Sequence, residues 1–176
     1  YVLPPLIAGF VTAYPEAELS LTVMPRDELF ARARQHEVDL VVAGRPPRGS
    51  GLRTRATREN RLIVVGRSGL SVESATWLLT GQGSGTRTTS LELLASLQLT
   101  PAQLTLGTSG AAIAAAREGL GLTLVHEQAV SELLAAGVLT TYDVPGTPLA
   151  RPWHLCTSDS PSPTTQLFLE HAETDA

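Results

Sequence analysis

Leu3, Leu6, Ile7, Phe10, Val11 and Tyr14 recur at the three- and four-residue spacing of a helix. The pattern predicts a helix from Pro4 to Tyr14, since prolines are tolerated in a first turn and Pro15 stops it. Leu19, Leu21 and Val23 then alternate with Glu18, Ser20 and Thr22, which predicts a half-exposed strand. Helical spacing returns over Asp27 to His36 with Leu29, Phe30 and Ala33 inward, followed by a buried strand over Val38 to Ala43 that stops at Gly44-Arg45-Pro46-Pro47. An alternating strand from Leu52 to Thr57 and an apolar one from Arg61 to Val65 come next, and the Gly/Ser-rich stretch Gly66 to Ala75 is expected to be a crossing between lobes and a candidate hinge.

The second half repeats a strand-then-helix rhythm. Strands are expected at Trp77–Leu79, Leu104–Leu106, Leu122–Val125, Thr140–Val144 and Trp153–Thr157, and helices at 88–97, Ala111–Gly119, Glu127–Ala136 and Pro163–Ala172. Such alternation implies doubly wound α/β lobes with largely parallel sheets, and a first strand is expected before Tyr1. Two crossings between two lobes would leave a cleft, where ligands bind in such architectures.

Composition narrows what that cleft could do. The chain has 176 residues, 43% hydrophobic, enough for a real core, with 13 basic and 17 acidic residues. A net charge of −4 argues against a domain that grips nucleic acid through its overall field. Every basic residue is arginine, which removes a P-loop lysine, a Schiff-base lysine and a lysine general base together. One cysteine, Cys156, excludes an internal disulfide and a cysteine-based metal cluster, and the four histidines lack metal-ligand spacing, so no metal or cofactor is expected. No apolar run approaches the roughly 18 residues of a membrane span and no signal peptide is visible, so a cytoplasmic location is the default expectation.

Candidate chemistry concentrates at strand ends. Gly81-Gln82-Gly83-Ser84-Gly85-Thr86-Arg87 reads as a strand end, a glycine turn and a helix start, with hydroxyls to cap the helix and an arginine to face an anion. The plainer reading is a capped helix that binds nothing. Gly107-Thr108-Ser109-Gly110 offers a second helix start, and it also approaches the G-x-S-x-G elbow of hydrolases, with Asp143 and His154 in triad order. His126, at the end of a buried strand, could donate to a bound anion or could be a partly buried histidine bonded to backbone. Gly44-Arg45 sits at another strand end and could complete the cleft or be an ordinary turn. Six arginines between 45 and 61 could form a basic patch, but no aromatic residues interleave to stack bases, so a solvated strand face is the plainer reading.

Several stretches taken in order resemble the effector-binding domain of LysR-type transcriptional regulators. They are Tyr1 to Phe10 with Tyr14-Pro15, Glu37-Val38-Asp39-Leu40 leading to Gly44-Arg45-Pro46-Pro47, Trp77-Leu78-Leu79 before Gly83-Ser84-Gly85-Thr86-Arg87, Glu118-Gly119-Leu120-Gly121-Leu122, and Pro148 to Leu155. The Gly-Ser-Gly-Thr-Arg and Arg-Pro-Trp-His-Leu elements look most like the branch that senses metabolic anions, including regulators of carbon fixation and sulfur assimilation. The resemblance implies a two-lobed type II periplasmic-binding-protein-like fold, each lobe a mixed, mostly parallel sheet flanked by helices. Subdomain I would comprise 1–66 plus 152–176 and subdomain II 67–151, with a winged helix-turn-helix DNA-binding domain N-terminal to both.

By the same resemblance the domain is not an enzyme, and a small carboxylate, phosphate or sulfate metabolite would bind between the lobes. Its contacts would come from Gly44, Arg45, Gly83, Ser84, Gly85, Thr86, Arg87, Thr108, Ser109, Val125 and His126. Binding would alter the geometry of a homodimer, or of a tetramer in the full-length protein, and DNA would be touched only through the N-terminal domain. The helix Pro4–Tyr14 and the strand Glu18–Val23 would lie against the partner's second lobe. Two departures stand out: the family's first strand would precede Tyr1, and the segment between Val65 and Trp77 is short. The alternatives are a stand-alone solute-binding protein of the same fold and a small serine hydrolase using Ser109.

Overall fold

A computed structural model describes residues 3–174. They form two compact units, one built from the chain up to Glu59 together with the chain from Pro152, the other from Asn60–Arg151.

In the first unit, α1 (Leu3–Ala13) and α2 (Arg26–Arg34) precede β1 (Val41–Ala43) and β2 (Arg53–Arg58), while β9 (Trp153–Thr157) and α6 (Pro163–Thr174) come from the end of the chain. β9 lies between β1 and β2 and runs antiparallel to both. Alternation along this sheet sends Leu155 to one face, where it meets Leu6 and Phe10 of α1 and Phe168 of α6, and sends Val41, Ala43 and Cys156 to the other, against Phe30 and Ala33 of α2.

The second unit holds β3 (Arg61–Gly66), β4 (Trp77–Leu79), α3 (Gly85–Ser96), β5 (Gln103–Thr105), α4 (Ser109–Arg117), β6 (Thr123–His126), a 3₁₀ turn (Glu127–Ala129), α5 (Ser131–Ala135), β7 (Thr140–Tyr142) and β8 (Leu149–Ala150). β3 pairs antiparallel with β6, β7 and β8. β4 pairs parallel with β5, and a parallel bridge from Trp77 to Leu122 joins that pair to the chain entering β6. Two clusters cover the two faces, one around Ile63, Leu78 and Val125 and one around Leu62, Trp77 and Leu124.

Five expectations need correction. The sheets are not mostly parallel: among the described residues parallel pairing is confined to β4, β5 and the Trp77–Leu122 bridge, because β9 and β3 each lie among strands running the other way. The compact units divide at Glu59/Asn60 instead of 66/67, since all of β3's pairings lie in the second unit. The supposed hinge at Gly66–Ala75 is a packed loop there, with Leu70, Val72 and Ala75 against the Trp77 cluster, Trp77 Nε1 donating to Val72 O at 3.3 Å and the Leu70 amide donating to Tyr142 Oη at 3.0 Å. The strand expected at Glu18–Val23 is not formed. Alternation chooses a face but supplies no partner, and Leu19, Leu21 and Val23 stand exposed, Val23 at 88%. The helix expected over Glu127–Ala136 is also split, at the fully buried Val130, whose φ of −125° leaves the helical region.

Candidate functional site

β4 and β5 run parallel, so their carboxyl ends emerge side by side, with Leu79 opposite Thr105 and the Leu106 amide donating to Leu79 O at 2.7 Å. Each then turns into a helix. The turns touch: a Cβ on Gly81 would sit 3.1 Å from Gly107 O, so glycine is what lets them approach. Gly83 takes φ +79°, which delivers Ser84 to the cap position of α3. Ser84 Oγ accepts from the Arg87 amide at 3.5 Å and from Thr80 Oγ1 at 2.9 Å. Thr108 caps α4 in the same way, its Oγ1 accepting from the Ala111 amide at 3.1 Å.

Two helix starts thus share one edge of the second unit, each presenting first-turn amides that have no intrahelical acceptor and the positive end of a dipole. Arg87 bridges them, Nη1 donating to Thr80 O at 3.0 Å at the end of β4 and to Thr105 Oγ1 at 3.1 Å at the end of β5. Its guanidinium has five donors, so those bonds leave capacity for an anion. Gly83, Gly85 and Thr108 are exposed and Ser84, Thr86, Arg87 and Ser109 half-buried, so the backbone approach is open. A Cβ at Gly85 would meet nothing within 4 Å.

β6 follows the same direction as β4 through the Trp77–Leu122 bridge, so His126 ends a third strand at this edge. Its Nδ1 lies 3.1 Å from Asn60 Oδ1. Burial lowers its pKa from the ordinary value to about 4, so the ring is neutral at pH 7. Asn60 Nδ2 donates to Arg151 O at 2.7 Å, which turns Oδ1 toward His126 and places the imidazole proton on Nδ1. In that tautomer the ring's proton is committed to Asn60 and Nε2 is its acceptor. Val125, by contrast, is 1% exposed and its side chain belongs to the core with Ile63 and Leu78, so only its main chain is left for a site.

Gly44 and Arg45 belong to the first unit. Arg26 Nη2 donates to Arg45 O at 2.6 Å while its guanidinium lies 4.7 Å from the Phe30 ring centre, and the Arg45 side chain is exposed. Three of the other five arginines between 45 and 61 are committed. Arg53 pairs with Asp159, Arg55 donates to Thr157 Oγ1, Ser158 O and Asp159 O, and Arg61 of the second unit pairs with Glu127.

Acidification tests the environment of His126. The unfolded chain takes up the proton near the ordinary histidine value while the folded one resists until about pH 4. The stability held by the neutral ring is complete above about pH 6.5 and is lost as pH falls through that window, by about 3 kcal/mol. Burial and, secondarily, Arg45 lower the His154 pKa in the same direction. Urea unfolding at pH 4.5 and pH 7 is expected to show the loss, and His126→Gln to remove most of the slope.

The LysR substrate binding domain model matches residues 1–176. This chain belongs to that family. The LysR domain is 28% identical over 164 residues to the HTH-type transcriptional regulator CbbR of Rhodospirillum rubrum, covering 88% of this chain and 55% of that protein. It is 32% identical over 169 residues to CbbR of Sinorhizobium medicae, covering 87% and 53%. The chain therefore spans about half the length of these relatives. Among solved structures it resembles the Synechocystis PCC6803 CcmR regulatory domain in complex with 2-PG, with TM-score 0.89, 25% identity and coverage of 99% and 91%. The apo regulatory domain of HypT from Salmonella typhimurium shares the fold, with TM-score 0.76 at 15% identity and coverage of 96% and 88%.

The hydrolase alternative is not favoured. Ser109 is the first residue of α4 after a cap with extended backbone, so the LysR domain has no strained elbow there, and His154 sits in β9 with Nδ1 3.3 Å from Thr54 Oγ1. Its relatives are named as transcriptional regulators. Sequence reasoning missed Asn60, Thr89 and Arg151. Arg151 lies within the family-like stretch Pro148–Leu155, but no local pattern ties it to its partners Thr89 and Asn60, 62 and 91 positions away.

Proposed function

We propose that this LysR domain is a non-catalytic sensor of a small anionic metabolite, and that in its parent protein it controls transcription through an N-terminal winged helix-turn-helix. The observation that carries this is the Arg87 bridge across the paired, capped starts of α3 and α4, an arrangement that favours negative charge and contains no activated nucleophile. Ser84, Gly85, Thr86, Arg87, Thr108 and Ser109 supply the anion contacts. Gly44 and Arg45 enter through the family resemblance alone.

The ligand class is phosphate, carboxylate or sulfate, and 2-PG, held by the CcmR regulatory domain, is the first candidate. Ligand shifts a dimer, or a tetramer of the full-length protein, only by as much as it binds one arrangement better than the other. The exposed Leu19, Leu21 and Val23 offer an apolar surface for such association. In this reading the protein is cytoplasmic, without a membrane partner; no helix among the described residues is long and apolar enough to cross a membrane.

Calorimetry of the full-length protein against 2-PG, inorganic phosphate, sulfate and simple dicarboxylates tests the proposal. Saturable binding of at least one phosphate-bearing anion is expected. Absence of binding across the panel overturns it.

A further inference from the structure

Asn60 and Arg151 are the first and last residues of the second unit, and they hold each other by two bonds. The Arg151 amide donates to Asn60 O at 2.8 Å and Asn60 Nδ2 returns one to Arg151 O at 2.7 Å. From this staple one arm runs to His126 through Asn60 Oδ1. The other runs from Arg151 Nη2 to Thr89 Oγ1, which itself donates at 2.9 Å to Gly85 O in the first turn of α3. Thr89 is 3% exposed and Asn60 6% exposed, so these bonds are made largely away from water, where losing one partner strands the other.

We propose that Asn60 and Arg151 are positioning residues of the anion site: Arg151 sets the first turn of α3 through Thr89, Asn60 fixes the His126 tautomer, and their mutual staple ties both to the two points where the chain passes between units. Neither residue touches the ligand. Occupancy of the α3 start and order at the two passages are therefore linked, and whatever steadies one steadies the other. Only the arm of the test that uses an anion rests on the sensor reading above.

The test is amide hydrogen exchange and imidazole ¹⁵N spectroscopy on the full-length protein. Thr89→Val keeps the buried volume and deletes the acceptor of Arg151. Without anion, it is expected to speed exchange of the Arg151 amide at least about tenfold while amides between β3 and β6 are unchanged. Asn60→Ala is expected to replace a single Nδ1–H form of His126 by a mixture of tautomers. With saturating inorganic phosphate, the wild-type Arg151 amide should slow further, and Thr89→Val should lose that slowing.

Unchanged Arg151 exchange in Thr89→Val, or a single Nδ1–H form persisting in Asn60→Ala, overturns the assignment. Should Asn60→Ala fail to fold, Asn60→Asp, which keeps the acceptor for His126 and loses the donor to Arg151, is read for Arg151 exchange with the same two outcomes. Wild-type protein that takes up no phosphate counts against the sensor reading alone, and the anion-free measurements then decide the positioning roles.

Discussion

Gly121→Ala is expected to lower stability by about 3 kcal/mol or more, a Tm loss of roughly 6–12 °C for a chain of this size. A Cβ at Gly121 would lie 2.0 Å from Thr76 O and 2.9 Å from its carbonyl carbon, and both are main-chain atoms that cannot rotate away. Thr76 O accepts from the Leu122 amide at 2.9 Å, and the Leu78 amide donates to Leu122 O at 2.7 Å. These bonds join β4 and β5 to β6, and they lie over Trp77 and Leu122, both fully buried in one cluster. Making room for one methyl therefore separates the strands that carry the helix starts from the strand that carries His126. Gly85→Ala, whose Cβ would meet nothing, is the control and should leave the melting temperature within about 1–2 °C. Thermal unfolding of the two variants beside wild type checks both, and equal stability of Gly121→Ala and wild type would show that Thr76 has space to move.

What the residues disclosed in advance follows the range of the forces involved. Caps, glycine turns and apolar runs act within a few residues, so the turns holding Ser84 and Thr108 pointed to two helix starts, which lie at Gly85 and Ser109, ahead of the expected 88 and 111, and Trp77–Leu79 and Trp153–Thr157 fall at the strands expected of them. Pairing is non-local. Leu19 to Val23 has the alternation of a strand and no sheet partner, while Leu149–Ala150, with no pattern at all, is a strand because Arg61 and Leu62 lie opposite. The sense of the sheets escaped for the same reason: an apolar run reads alike in a parallel and an antiparallel interior, and β3, whose last five residues are all buried, is antiparallel. The site divides along this line too. The residues proposed to face the anion lie in two short motifs, 84–87 and 108–109, each at one helix start, whereas the Asn60, Thr89 and Arg151 bonds join residues that share no sequence neighbourhood.

Arg87→Ala is expected to weaken the binding of phosphate-type anions by about 10- to 100-fold, the range set by losing one charge-assisted hydrogen bond of about 1.5–3 kcal/mol. Two effects act together. The charge itself is removed from between two helix starts, and the tie from Thr80 O to Thr105 Oγ1 that holds the end of β4 against the end of β5 is lost. Arg87→Lys separates them, because an ammonium restores the charge and has no planar fork to span two acceptors while facing a third. Recovery of most of the affinity by lysine would assign the effect to charge, and recovery of little would assign it to the bridge. Both outcomes differ from that of Thr89→Val, which leaves the guanidinium in place. Stability is expected to fall by about 1 kcal/mol in Arg87→Ala: water can replace the lost partner of the exposed Thr105, but the carbonyl of Thr80, a residue 5% exposed, loses its donor. Titration calorimetry with inorganic phosphate, beside a melting curve for each variant, measures the affinities, and an Arg87→Ala protein that binds phosphate as tightly as wild type would remove Arg87 from the site.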